Sequence, residues 1–131
     1  MEEYETDRQG DSFEDYTESL TYLAEEKGLR VKCLRVPIPD TSIPRIETMK
    51  RILDEIDAAI KQGKPVYAHC WGGKGRTGTV VGCWLIRHGK ATAGDVLSVI
   101  QELRKNDPTR FEPSPENERQ RWMVKSWRVG E

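Results

Sequence analysis

The chain has 131 residues, 33% of them charged and 36% apolar, which suits one globular domain and excludes a disordered polymer. Its densest apolar stretch, Val80–Ile86, is far short of the roughly 18 residues a membrane span takes. The net charge of −1 divides unevenly: residues 1–27 hold ten acids and two bases, a net −8, and residues 28–131 hold twelve acids and nineteen bases, a net +7.

Residues 1–12, rich in Glu, Asp, Gly and Ser, carry no periodicity and read as a flexible acidic start, with a single domain over 13–131. From Phe13, residues Tyr16, Leu20, Tyr22 and Leu23 recur at helical spacing, and Gly28 supplies the left-handed residue that ends such a helix. Leu29–Val36, β-branched at several positions and free of Gly and Pro, reads as a strand. Pro37, Pro39 and Pro44 make the next segment a stiff loop. Ile46, Met49, Leu53, Ile56 and Ile60 then stripe a helix from about Arg45 to Gln62, ended by Gly63. Pro65–His69 reads as a second strand. A Gly-rich turn from Cys70 to Gly75 leads into a helix over Arg76–His88 whose scarcity of polar positions makes it central and buried. Thr92 and Asp95 resemble a capping box for a helix to about Lys105. After a loop over Asn106–Glu112, Ser114 and Pro115 suit the cap and first turn of a last helix reaching about Trp127.

Strand, helix, strand, helix predicts an α/β fold: a parallel pair joined by a right-handed crossover, in a central, mostly parallel sheet flanked by helices. Ligands of such sheets bind beyond the carboxyl ends of the strands. Two loops leave those ends, one carrying Asp40 and one beginning at Cys70. Two strands do not make a sheet, so others must come from weakly patterned segments. Cysteines at 33, 70 and 83 form neither a disulfide framework nor a paired metal knuckle, and Cys33 and Cys83 read as core residues. With an acidic rather than basic opening, this predicts a reducing, cytoplasmic setting.

The chemistry concentrates in His69-Cys70-Trp71-Gly72-Gly73-Lys74-Gly75-Arg76-Thr77-Gly78-Thr79. A cysteine ends a strand, five residues turn, and an arginine opens a helix. Three glycines among the five let backbone amides converge on an anion, and the helix adds its N-terminal N–H groups and dipole. That field favours the thiolate of Cys70, while the planar Arg76 suits two oxygens of a phosphoryl group. A Walker A loop would need Ser or Thr directly after Lys74, where Gly75 stands. A purely structural turn would leave the cysteine, the arginine six residues on and the hydroxyl seven residues on to coincidence.

His69-Cys70-x5-Arg76-Thr77-Gly78 resembles the active-site signature of protein tyrosine phosphatases. The Gly72–Thr79 run and the small size look most like the compact dual-specificity phosphatases of bacteria and archaea. The likeness runs from about Leu29 to Trp127 and is sharpest over 69–80. It implies a phosphatase fold with the loop between a strand and a helix, a phosphocysteine intermediate, and neither metal nor cofactor. Carried over, Cys70 is the nucleophile, Arg76 the phosphate clamp, and Thr77 the donor that eases departure of the thiolate. His69 supports the loop, and Trp71, Gly72, Gly73, Lys74 and Gly75 offer amides to the phosphate. Asp40 looks like the general acid, although Pro39-Asp40-Thr41-Ser42 is also ordinary turn chemistry. Gln120 sits where several relatives position the hydrolytic water, although an exposed helical glutamine would need no function. Members of this family carry one or two strands before the segment that begins here at Phe13. By that comparison the chain is a minimal variant, a fragment, or one that self-associates.

The implied substrates are phosphorylated proteins or peptides, phosphotyrosine first. Lys74 and the positive body keep phosphoinositides or inositol polyphosphates open. The remaining rivals are a catalytically silent phosphate-binding module and a sulfurtransferase or arsenate reductase with a similar loop. Nucleic-acid binding has no aromatic–basic stripe to support it.

Overall fold

The computed structural model describes residues 1–2 and 4–131, and among them it contains five α-helices and no strand. The chain divides into two units, Met1–Pro37 and Ile38–Glu131.

The first unit carries one helix, α1 (Thr17–Glu26). The helix expected from the spacing of Tyr16, Leu20, Tyr22 and Leu23 has no buried residue, and those four side chains are all exposed. Gly28 ends it as anticipated, with φ +67° and its N–H on the Glu25 carbonyl. Cys33, taken from sequence as a core residue, is exposed.

The second unit is a four-helix packing: α2 (Ile46–Lys61), α3 (Gly75–Arg87), α4 (Val96–Leu103) and α5 (Glu118–Ser126). The stripe on α2 buries Met49 and Leu53 completely, whereas Ile46 and Ile60 at its ends stay exposed. Helix α3 is central, packing against α2, α4 and α5. Its Val80, Cys83, Leu85 and Ile86 join Val96 and Ile100 of α4 and Met123 and Val124 of α5 in one core. Asp95 accepts a 2.7 Å hydrogen bond from the Thr92 N–H ahead of α4, and this bond first of all holds its carboxyl below the usual range. Helix α5 begins later than the Ser114-Pro115 pair suggested. Asn117 caps it, its side-chain oxygen accepting from the Gln120 N–H at 3.0 Å.

The α/β fold expected from the sequence, with its central parallel sheet, is therefore corrected to a helical architecture. Leu29–Val36 and Pro65–His69, read as strands, form no ladder, and Leu29, Val31, Leu34, Val66 and Tyr67 are exposed. β-propensity reflects fit to a half-buried pleated surface, and without a paired neighbour that surface does not exist. The loop from Cys70 thus enters α3 from an irregular segment rather than from a strand.

Helix α3 carries its neighbours at close range because its facing positions are glycines. A Cβ on Gly78 would strike the Ser114 hydroxyl, and one on Gly82 would lie 2.6 Å from Cγ1 and 2.9 Å from Cγ2 of Val124. Val124 is fully buried and stiff about χ1, so it cannot swing aside. Gly82→Ala gains about 1 kcal/mol of helix propensity but overpacks this contact at about 1–3 kcal/mol. The variant should unfold at lower urea concentration than wild type, and adding Val124→Ala should cost less than the two single losses summed.

Candidate active site

The loop from Cys70 turns where Gly73 adopts φ +67°, a conformation open to glycine, and passes through Lys74 into α3 at Gly75. Cys70 is buried, 8% exposed, and its Sγ accepts a 3.1 Å hydrogen bond from the Thr77 hydroxyl on the first turn of α3. His69 Nδ1 lies 3.0 Å from the Cys70 carbonyl oxygen. Since that oxygen only accepts, the bond places the proton on Nδ1. Trp71 stands at the rim, 42% exposed.

Arg76 turns inward and is 4% exposed. Its guanidinium donates to the Ile38 carbonyl at 3.1 Å and pairs with the Asp40 carboxylate at 2.9 Å. Two segments far apart in the chain are thereby tied together: the proline-rich loop with Asp40, and the Cys70 loop. Asp40 itself is half exposed, so it faces both the arginine and solvent.

The Asp40 loop is shaped by its own turn and by α5. Ser42 N–H bonds back to the Pro39 carbonyl at 3.1 Å, and Thr41 sits at φ +55°, which is unusual for a β-branched residue. Asn117 Nδ2 donates to the Thr41 carbonyl at 2.8 Å and Gln120 Nε2 to the Ser42 carbonyl at 3.2 Å. Gln120 is completely buried, so the reading of an exposed helical glutamine is overturned. Its Oε1 accepts from the Glu116 N–H at 3.2 Å.

On the other flank, the Ser114 hydroxyl donates to the Lys74 carbonyl at 2.8 Å, and the Lys74 ammonium pairs with the Glu112 carboxylate. Sequence reasoning missed Asn117, Ser114 and Glu112 as site neighbours. Asn117 carried a local signal, an asparagine three residues before a helical glutamine. The other two are joined to the loop only by contacts with no local trace. A groove of about 740 Å³ between α4 and α5 includes Arg110, Phe111 and Ser114 in its lining. Cys70 is not part of it, and Ser114 links it to the loop.

A buried thiol bonded to a hydroxyl, an inward arginine six residues on, and a carboxylate on that arginine define a cysteine-dependent protein tyrosine phosphatase superfamily member, and the chain belongs to that superfamily. Within it, the chain belongs to the family described as "Tc-R-P: Polymorphic toxin system, DSP-PTPase phosphatase", whose model matches residues 12–90. An uncharacterized protein of Methanocaldococcus jannaschii is 42% identical over 59 residues, covering 45% of this chain and 40% of that protein. The phosphatidylglycerophosphate phosphatase PTPMT1 of Arabidopsis thaliana is 31% identical over 61 residues, covering 47% of this chain and 18% of that protein. The dual specificity protein phosphatase CDC14B of Mus musculus is 35% identical over 66 residues, covering 50% of this chain and 13% of that protein. The chain spans less than half the length of the curated relatives it matches.

Two outcomes follow from the geometry. Gln120→Leu keeps the volume but leaves the Glu116 N–H and the Ser42 carbonyl without their partner, so urea unfolding should show a loss of about 1–3 kcal/mol. All three cysteines are free, and burial, aided by the nearby Glu131 charge, pushes the Cys83 thiol from its ordinary 9.0 up to about 12. The unfolded chain gives up this proton first, so the Cys83 contribution to stability is intact below pH 9.0 and is lost as pH rises towards about 12. At pH 8 iodoacetamide should label Cys33 in the native protein and reach Cys83 only in denaturant, as mass spectrometry of peptides would show.

Proposed function

We propose that the chain hydrolyses phosphate monoesters through a phosphocysteine, in a cytoplasmic setting, with phosphotyrosine proteins or peptides as leading substrates and phosphoserine or phosphothreonine accepted. The observation that carries this reading is the Asp40–Arg76 pair, which joins an acid to the phosphate-clamp position of the Cys70 loop. An arriving phosphoryl group competes with the Asp40 carboxylate for the guanidinium. Its oxygens take Arg76 and the amides of residues 71–75, while Asp40 stays at the edge of the loop.

The Cys70 thiolate attacks phosphorus, the S–P bond forms, and the ester P–O bond breaks. Asp40, released from Arg76, takes up a proton from solvent and, as the carboxylic acid, gives it to the leaving oxygen. In the second step Asp40, now a carboxylate, takes a proton from water. The hydroxide attacks phosphorus, the S–P bond breaks, and Thr77 stabilises the returning thiolate through its 3.1 Å bond. Gln120 positions the Asp40 loop through the Ser42 carbonyl and supports the water step. His69 holds the loop backbone at the Cys70 carbonyl. Rate enhancements in this reaction class reach about 10²¹, so thiolate, arginine and acid are all required to contribute.

A second reading keeps the chemistry and changes the substrate to a phosphorylated lipid or inositol compound. Lys74 within the loop favours it, as does similarity to a phosphatase of phosphatidylglycerophosphate.

Hydrolysis of an aryl phosphate in chelator tests the mechanism. Wild type should be active and Cys70→Ser inactive, and activity surviving in Cys70→Ser would sink the proposal. Asp40→Asn should lower kcat about 10²–10⁴-fold on phenyl phosphate. The loss should be smaller on 4-nitrophenyl phosphate, whose leaving group needs less help from an acid.

A further inference from the structure

Lys74 and Arg76 are the cations of the Cys70 loop, and each is paired with an acid from elsewhere in the chain. Asp40 serves Arg76 and has a place in the proposed chemistry. Glu112, which pairs with Lys74, has none. We infer that Glu112 is a specificity residue: by neutralising Lys74 it withholds the second cation of the phosphate loop and sets the site for substrates bearing a single phosphoryl group. The inference rests on the phosphatase reading given above and specifies its substrate class.

The pair is built rather than incidental. Lys74 is the residue from which α3 starts, and its carbonyl takes two bonds, from the Gly78 N–H at 3.1 Å and from the Ser114 hydroxyl at 2.8 Å. Its side chain is only 16% exposed. Glu112 lies two residues before Ser114, so the segment that grips the Lys74 backbone also delivers the carboxylate to its ammonium.

The loop carrying Glu112 is held from α4. Arg104, 11% exposed, donates to the Glu112 carbonyl at 2.9 Å and to the carbonyl and hydroxyl of Thr109 at 3.1 and 2.8 Å. Gln101 donates to the Arg110 carbonyl. Asp107 accepts from the Thr109 N–H at 2.6 Å and hydroxyl at 2.7 Å, and the Glu112 N–H closes a turn on the Thr109 carbonyl at 2.9 Å. A loop fixed at this many points has little backbone freedom left to lose when the pair forms.

The consequence for substrates is electrostatic. A phosphoryl group in the loop is served by Arg76 and backbone amides, whether or not Lys74 is free. A second phosphoryl group on the same molecule has Lys74 as the neighbouring cation, but finds it compensated and meets the half-exposed Glu112 carboxylate beside it. A like charge within contact range near a protein surface changes relative affinity by roughly five- to fiftyfold.

The test compares kcat/KM for a peptide with one phosphotyrosine and the same peptide with a second phosphoryl group on the adjacent residue. Glu112→Gln should raise the doubly-to-singly phosphorylated ratio by roughly five- to fiftyfold, mainly through KM. In Lys74→Met/Glu112→Gln the ratio should fall back, because the uncovered cation is gone. An unchanged ratio in Glu112→Gln overturns the inference. If wild type hydrolyses no aryl phosphate, the phosphatase reading fails by itself, and Glu112 is then tested by binding. Titration calorimetry with phosphate and pyrophosphate should show Glu112→Gln favouring pyrophosphate by a similar factor, and an equal preference in both proteins overturns the role of Glu112 separately.

Discussion

A guanidinium withdrawn from water must find partners, because an unpaired buried charge costs several kcal/mol. Arg76 is 4% exposed, and its partners include the Ile38 carbonyl and the Asp40 carboxylate. Much else in the site follows from that requirement. The proline-rich loop has to return to the start of α3, and the turn at Thr41 and Ser42 has to hold Asp40 there. Asn117 and Gln120 of the α5 region have to pin that turn by its carbonyls. The charge is therefore desolvated and oriented before any anion arrives. In the proposed reaction a phosphoryl group replacing Asp40 would meet a clamp that needs no further ordering, which is where preorganised electrostatics gains over water.

The second constraint is the approach of the 114–124 segment to α3. Glycines at 75, 78 and 82 on α3 admit Glu116, Ser114 and Val124 at distances a Cβ would forbid. The Ser114 hydroxyl can then reach the Lys74 carbonyl, and Gln120 can lie buried next to Gly75 while bonding the Asp40 loop. Packing of the 114–124 segment on α3 thus holds the Cys70 loop, with no strand among the described residues to anchor it. The glycines of the motif accordingly have two duties. Gly73 turns the loop through a positive φ, while Gly75 and Gly78 make room for the neighbouring segment.

Features with a local cause were legible in the sequence. Apolar spacing gave α2 and α3 within a residue or so, and Gly28 and Gly63 adopt the positive φ that their positions implied. The Cys70–Thr77 bond joins residues that the motif already set seven apart, across one turn of loop and helix. What depended on distant partners was not legible. Leu29–Val36 has the composition of a strand but no ladder, since composition offers a surface for pairing without supplying the neighbour. Cys33 is exposed in that same segment. Gln120 reads as surface on a polar helix, yet Ser42 and Glu116 take both ends of its amide in the interior. Ser114 suggested a helix cap, but its hydroxyl serves Lys74 from 40 residues away, and Asn117 caps instead.

The electrostatics of the loop differ from what the overall charge suggests. Residues 28–131 carry a net +7, an excess that invites an image of a positive phosphate site. At the loop itself, Lys74 is matched by Glu112 and Arg76 by Asp40, so these two cations and two anions cancel locally. The excess must therefore reside on other surfaces, where it can draw anions to the protein generally but cannot select among them at the loop. In the proposed function, selection then falls to groups that act at contact distance: the N-terminal turn of α3 and the Arg76 guanidinium, which would exchange the Asp40 carboxylate for a phosphoryl group. Such a site discriminates by shape and by which acid yields. In the proposed reaction Asp40 is the acid that gives up its cation, leaving Arg76 to the phosphoryl group. Glu112, on a loop bonded to Gln101 and Arg104, is the acid that the inferred specificity keeps on its lysine.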